Sequence, residues 1–176
     1  MAIWLRNLLV AFTLCTSLPG ILAVSVAGES ATEVDSVDVA DVARKISQRT
    51  GRPSVVLLYA TTCSLSQRMF PEFVSLAKEY QRRGVDFLVF STDEAKNAYW
   101  IPEFLSNHEA SFAPVFVRPW VPGSLGRALS PLGIVIGSTW TQPLVAVRNR
   151  DGRVITQSQG VTDLSGVRAA LNAVTR

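Results

Sequence analysis

Histidine and cysteine are scarce in this sequence: 176 residues contain one histidine and two cysteines. The lone histidine, His108, lies in the polar stretch Ser106-Asn107-His108-Glu109 and reads as a surface residue. A single histidine in loop-like sequence gives no Ser-His-Asp set. No paired-cysteine or histidine spacing is present, so neither zinc nor copper is expected. A glycine-rich phosphate loop, an internal repeat and a low-complexity tract are also missing, and no cofactor is implied. The charge is nearly balanced, with 17 Lys and Arg against 14 Asp and Glu. The basic residues are scattered, the longest clusters being Arg82-Arg83 and the Arg148/Arg150/Arg153 turn, which read as solvated. Phosphate binding needs a continuous positive stripe, so no nucleic-acid partner is expected.

What is present begins with a leader. Arg6 precedes an apolar stretch from Leu8 to Leu18, Pro19-Gly20 breaks it, and small residues follow at Ser25 and Ala27. Residues 1–27 therefore read as a signal peptide cleaved after Ala27 or as an N-terminal membrane anchor. Residues 8–27 carry no charge and are long enough to tether the protein to an inner membrane. Either reading puts the folded part in the periplasm or otherwise outside the cytoplasm. Cys15 lies inside this segment behind Leu14, not behind the small residue that a lipoprotein signal requires. The remaining chain then holds one thiol, Cys63, in a compartment that normally favours paired cysteines.

Residues 28–36 read as a polar linker and residues 37–176 as one folded domain. Val39, Val42 and Ile46 have helical spacing. Ser54 to Ala60 is a continuous β-favouring run, as in a strand buried on both faces. Leu65, Met69, Phe73, Leu76 and Tyr80 predict a long helix to Arg83, with Pro71 inside the stripe as the place for a kink. Val85 to Ser91 predicts a second buried strand. A helix is expected from Thr92, with Asp93 and Glu94 in its first turn. Prolines punctuate 110–133, leaving room for a strand at 115–117 and a helix at 124–132. Pro143 to Arg148 and Val154 to Gln159 flank a turn and read as a hairpin. Asp163 caps a last helix. This order predicts an α/β three-layer sandwich, a mixed sheet with helices on both faces.

At Tyr59-Ala60-Thr61-Thr62-Cys63-Ser64-Leu65-Ser66 the chain resembles the thioredoxin family, whose Trp-Cys-x-x-Cys motif closes a strand and opens a helix. Pro71 stands eight residues after Cys63, where that family kinks its helix. Thr141-Gln142-Pro143 matches its cis-proline, and the 149–152 turn with residues 163–175 matches its closing hairpin and helix. The leader and the long insert between 92 and 140 are similar to exported bacterial thioredoxins that serve cytochrome c maturation or periplasmic thiol reduction. The resemblance implies a thioredoxin-like fold. It also implies Cys63 as nucleophile, Ser66 as its hydrogen-bonding neighbour, and Thr62, Ser64, Leu65, Gln142 and Pro143 along the substrate edge. Partners would be protein thiols or disulfides, with a second redox protein as one source of a resolving thiol.

Three departures remove parts of the two-cysteine reaction. Ser66 replaces the second cysteine, giving CxxS; Thr62 replaces the tryptophan; and Leu57 stands where cytoplasmic thioredoxins keep a buried acid. Cys63 at a helix start would still favour thiolate, because backbone N–H groups and the positive end of the helix dipole face its sulfur. The expected activity is monothiol exchange or mixed-disulfide capture of partners. A redox-inactive binding module on the same fold is the alternative, since an extended peptide can add to the Gln142 edge without redox chemistry. A single-cysteine peroxidase is the third reading. It would want a threonine at Ala60 and would have only Arg68 to position peroxide. Trp100, Trp120 and Trp140 read as core or lid residues, with Trp140 beside the cysteine.

Overall fold

The computed structural model describes residues 33–119, 123–137 and 139–176. The readings placed on the leader, on Cys15 and on Trp120 lie outside the described residues. Among the described residues no helix is long and apolar enough to cross a membrane.

Side chains alternate between the two faces of one sheet, and because both faces are covered they build two cores. In β2 (Ser54–Tyr59), Val55, Leu57 and Tyr59 face one cluster while Val56 and Leu58 face the other. The same division runs through β3 (Asp86–Ser91) and β5 (Leu144–Arg148): Val89, Val145 and Val147 lie on the first side, Phe90, Leu144 and Ala146 on the second. The first face is covered by α2 (Ser64–Gln81), α3 (Ile101–Asn107) and α5 (Ser165–Val174). The second is covered by α1 (Val39–Ser47) and α4 (Ser124–Leu129). With β1 (Asp35–Val37), β4 (Val115–Val117) and β6 (Val154–Gln159), the six strands run in the order β1-β4-β3-β2-β5-β6. The first four are parallel, and β5 and β6 are antiparallel additions. The expected three-layer α/β sandwich is the observed one.

The register brings three chain segments to one end of the sheet. Tyr59, the last residue of β2, pairs with Ser91, the last of β3, and Leu58 pairs with Leu144, the first of β5. Cys63, Asp93 and Gln142-Pro143, which follow or precede these residues, therefore emerge side by side.

Several local readings change. The helix expected from Thr92 begins three residues later, as a 3-10 turn over Ala95–Trp100 that leads into α3. Asp93 is drawn beneath the neighbouring turn, so it does not lie in that helix's first turn. Strand β1 takes in Asp35 and Ser36, which the sequence left in the linker; Asp35 N–H donates to Pro114 O at 2.9 Å. Arg148 is not solvated: it is 3% exposed and donates to Ile46 O at 2.8 Å and Gly152 O at 2.9 Å. Two backbone carbonyls thus replace the water this guanidinium gives up, and its burial pushes it below the ordinary arginine range. His108 is half-buried against Phe104 and Phe70, with ring centroids 4.7 and 5.3 Å away.

Candidate functional site

Where β2 ends, the chain must turn before α2 begins, and the turn is fully anchored. Cys63 N–H donates to Ala60 O at 3.2 Å, closing a four-residue turn over Thr61-Thr62. Cys63 is the N-cap of α2, with an extended backbone (φ −84°, ψ 119°), and its carbonyl accepts from Gln67 N–H at 2.9 Å. Cys63 is partly exposed, and its sulfur lies 3.6 Å from the carbonyl oxygen of Gln142, to which the thiol donates. Gln142-Pro143 is a cis peptide, with Pro143 buried and Gln142 half-buried. The two halves of the predicted site therefore meet at the sulfur.

The remaining predicted residues divide by exposure. Thr62 and Ser64 are exposed and Leu65 is half-exposed, so all three border Cys63 on the solvent side. Ser66 is fully buried, and its hydroxyl oxygen accepts from Ala60 N–H at 3.4 Å. Among the described residues, no hydrogen bond joins Ser66 to the Cys63 sulfur. The hydroxyl expected beside the thiol instead helps close the turn beneath it. Leu57 lies in the core between Val55 and Tyr59, with no acid at its position. Trp140 packs partly buried against the second core cluster.

A buried acid is nevertheless present, and it comes from a different strand. Asp93, 6% exposed, sits just past the end of β3 under the Thr61-Thr62 turn. Its carboxylate accepts from Thr61 N–H at 2.9 and 3.1 Å, from Thr61 Oγ at 2.9 Å, from Ser91 Oγ at 2.7 Å and from Thr62 Oγ at 3.4 Å. Such a donor set offsets the cost of burying the charge. Together with burial, which is the larger cause, this carboxylate pushes the Tyr59 phenol above its ordinary range. Thr92, next in the chain, reaches both sides. Its hydroxyl donates to Tyr59 O at 2.9 Å and accepts from Gln142 Nε2 at 2.7 Å. Gln67 Nε2 donates to Thr61 O at 2.8 Å. Sequence reasoning missed Asp93, Thr92 and Gln67, because Thr-Asp-Glu after a strand has the composition of a helix start. The available signal was the parallel pairing of β2 with β3, which sets the polar triplet Ser91-Thr92-Asp93 beside the residues before Cys63.

A cleft of about 280 Å³ opens beside the turn, walled by Thr61, Thr62, Gln67, Trp100, Glu103 and Phe104. Trp100, 44% exposed, lines this cleft and is not part of the core. Among the described residues no group of His, Cys, Asp and Glu is placed to hold a metal ion.

A mixed sheet of this order, with a cysteine opening the helix after its central strand and a cis-proline facing it, is a thioredoxin fold. Solved structures agree on the fold. The chain is similar to a thiol:disulfide interchange protein of the thioredoxin family from Chlorobium tepidum TLS, with a TM-score of 0.57 and 19% identity over 74% of this chain and 84% of that one. It is also similar to a secreted Mycobacterium tuberculosis disulfide oxidoreductase homologous to E. coli DsbE, with a TM-score of 0.52 and 16% identity over 72% and 85% of the two chains. BsSco, a member of the Sco family of cytochrome c oxidase assembly proteins, matches at a TM-score of 0.50 and 15% identity over 73% and 83%. No protein-family model matches the sequence, and no curated protein sequence matches it.

Proposed function

We propose that this domain carries out single-cysteine thiol–disulfide exchange on protein partners outside the cytoplasm, with Cys63 as the nucleophile. One observation carries the reading: in a thioredoxin fold, a partly exposed cysteine opens a long helix with its thiol 3.6 Å from the Gln142 carbonyl that precedes the cis-proline. Cys63 stands at the positive end of the α2 dipole, but among the described residues no backbone N–H of the first turn donates to its sulfur, which bonds the Gln142 carbonyl instead.

In the first step the Cys63 thiolate attacks one sulfur of a partner disulfide. The new bond joins Cys63 to that sulfur, the partner's S–S bond breaks, and the electron pair leaves on the other sulfur as a thiolate, which takes up a proton. Nothing is oxidised or reduced overall; one disulfide replaces another. Ser66 cannot resolve the adduct, because a hydroxyl is too weak an acid to supply the attacking anion and this one is held against Ala60. A thiol of the partner itself, or of a second redox protein, must attack the adduct and release the Cys63 thiolate. Thr62, Ser64 and Leu65 would touch the partner chain, and Gln142-Pro143 would offer it a backbone edge. Residues 1–27 would export the domain, or residues 8–27 tether it to the inner membrane. The Mycobacterium tuberculosis neighbour is a secreted protein, which supports this location.

The test is capture of a disulfide-bonded protein by the full chain carrying Cys15→Ser, whose one thiol is Cys63, read as a reductant-sensitive adduct on a non-reducing gel. Cys63→Ala is expected to abolish the adduct. A wild-type chain that forms no adduct, or non-covalent capture that survives Cys63→Ala, would point instead to a binding module.

A further inference from the structure

Beneath Cys63 the hydrogen bonds form a closed ring. The sulfur meets the Gln142 carbonyl; the Gln142 side chain meets Thr92; and Asp93, adjacent to Thr92, holds the two residues that precede Cys63. We propose that Asp93 is the positioning residue of the Cys63 site, fixing the Thr61-Thr62 turn while Thr92 fixes the Gln142 wall, so that the sulfur is held where attack can occur. This deepens the thiol-exchange reading and rests on it.

Four features of the arrangement argue for this role. The donors that Asp93 collects are Ser91 and the two residues immediately before Cys63, so its bonds converge on the approach to the sulfur. A buried carboxylate is costly unless every lone pair is used, and a fully satisfied buried network specifies one local conformation. Ser91 Oγ donates to the carboxylate at 2.7 Å and accepts from Asp93 N–H at 3.1 Å, which locks the acid's own rotamer. Thr92 is pinned to the end of β2 by two bonds to Tyr59 O, at 2.7 Å from its N–H and 2.9 Å from its hydroxyl. The rigid β2–β3 pair thus carries both walls of the site. The sequence has no acid at Leu57, inside β2; the acid it does bury, Asp93, is placed so as to organise the loop. As an anion near the sulfur, Asp93 by charge alone would oppose the thiolate. Geometry and field therefore predict opposite signs.

The experiment measures the rate at which Cys63 of the full chain reacts with a small neutral disulfide, 2,2′-dithiodipyridine, at pH 7, in the folded state and in urea, with Cys15→Ser in every chain so that Cys63 is the one thiol read. Thermal unfolding is followed in parallel. Displacing a reacting atom by an ångström can cost about a hundredfold, and partial loosening of the turn in Asp93→Ala is expected to slow the folded-state reaction about tenfold. Asp93→Asn keeps one acceptor for Thr61 N–H and loses the charge; it is expected to recover most of that rate and not to exceed wild type. Thr92→Val, which leaves Asp93 untouched, is expected to slow the reaction by a smaller factor. Combined with Asp93→Ala it should fall short of additivity, because both changes release the same sulfur. In urea all the chains should react alike. A folded Asp93→Ala chain with the wild-type rate, or either Asp93 variant reacting faster than wild type, would overturn the proposal. Should Asp93→Ala not fold, Thr92→Val decides: an unchanged rate overturns the proposal and a slowed one supports it. A role confined to stability would lower the unfolding midpoint and leave the folded-state rate alone. The folded-to-unfolded ratio of wild type reports on the thiol-exchange reading, whereas the ratio of variant to wild type reports on Asp93, so each can fail without the other.

Discussion

On one side of Cys63, residues 60–67 are anchored from within. Ala60 N–H goes to Ser66, Thr61 N–H to Asp93, and Thr61 O to Gln67, and two of these three partners are buried. On the other side, residues 133–137 and 139–143 anchor Ile134 and Pro143 in the core but rely on exposed bonds between them. Gln157 and Gln159 on β6 bond the backbone of Val135, a residue 65% exposed, at 2.6 to 3.0 Å. Gly160 N–H donates to Pro143 O at 2.9 Å. Gly160 has φ +62°, and a Cβ there would stand 3.0 Å from Thr141 Cγ2, so glycine is needed for this close approach. Buried bonds are costly to lose, while exposed ones trade with water at little net cost. The fixed side carries the nucleophile, and the side that can yield at lower free energy is the one that would receive a partner.

That contrast can be broken most severely at Phe70, which is fully buried in α2 against Tyr59, Phe73 and Phe104, with centroids 4.6 to 6.2 Å apart. Phe70→Ala is expected to cost about 3–5 kcal/mol in denaturant unfolding. A loss below about 1 kcal/mol, the range of a conservative core swap, would mean that this side does not depend on the aromatic cluster. Next is Ser66→Ala, which strands the buried Ala60 N–H. The bond is long, so the expected loss is about 1 kcal/mol, at the low end for an unsatisfied buried group. Cys63 should slow less than in Asp93→Ala. A larger fall in its rate would mean that the hydroxyl serves the thiolate directly. Smallest in stability is Gln142→Ala, which removes the bond to Thr92 and keeps the backbone carbonyl. It should cost under about 1 kcal/mol and show itself chiefly as slower adduct formation with a folded protein disulfide. Equal effects of Ser66→Ala and Gln142→Ala on both measurements would erase the distinction between the two sides.

Much of this was legible because it depends on local pattern. The run at 54–60 and the stripe Leu65, Met69, Phe73, Leu76 and Tyr80 carry their periods openly, and strand β2 and helix α2 lie where those periods put them. Pro143 and Cys63 could be paired because the resemblance supplied both. The buried polar residues were not legible. Asp93 has the look of an acid in a helix's first turn and Arg148 that of a solvated turn residue, since a charge's burial depends on partners remote in sequence. For Asp93 those partners are 31 and 32 residues away, and for Arg148 one is 102 residues away. Ser66 was legible as a missing cysteine, but its bond to Ala60 requires knowing how the turn closes.

The central claim is that the fold presents Cys63 for attack, and the reaction of Cys63 with 2,2′-dithiodipyridine at pH 7 tests it most directly. The account predicts that the folded chain reacts faster than the same chain in urea, because helix N-terminus and turn act on the sulfur only when folded. A thiol that reacts slowly when folded and freely once unfolded would contradict it.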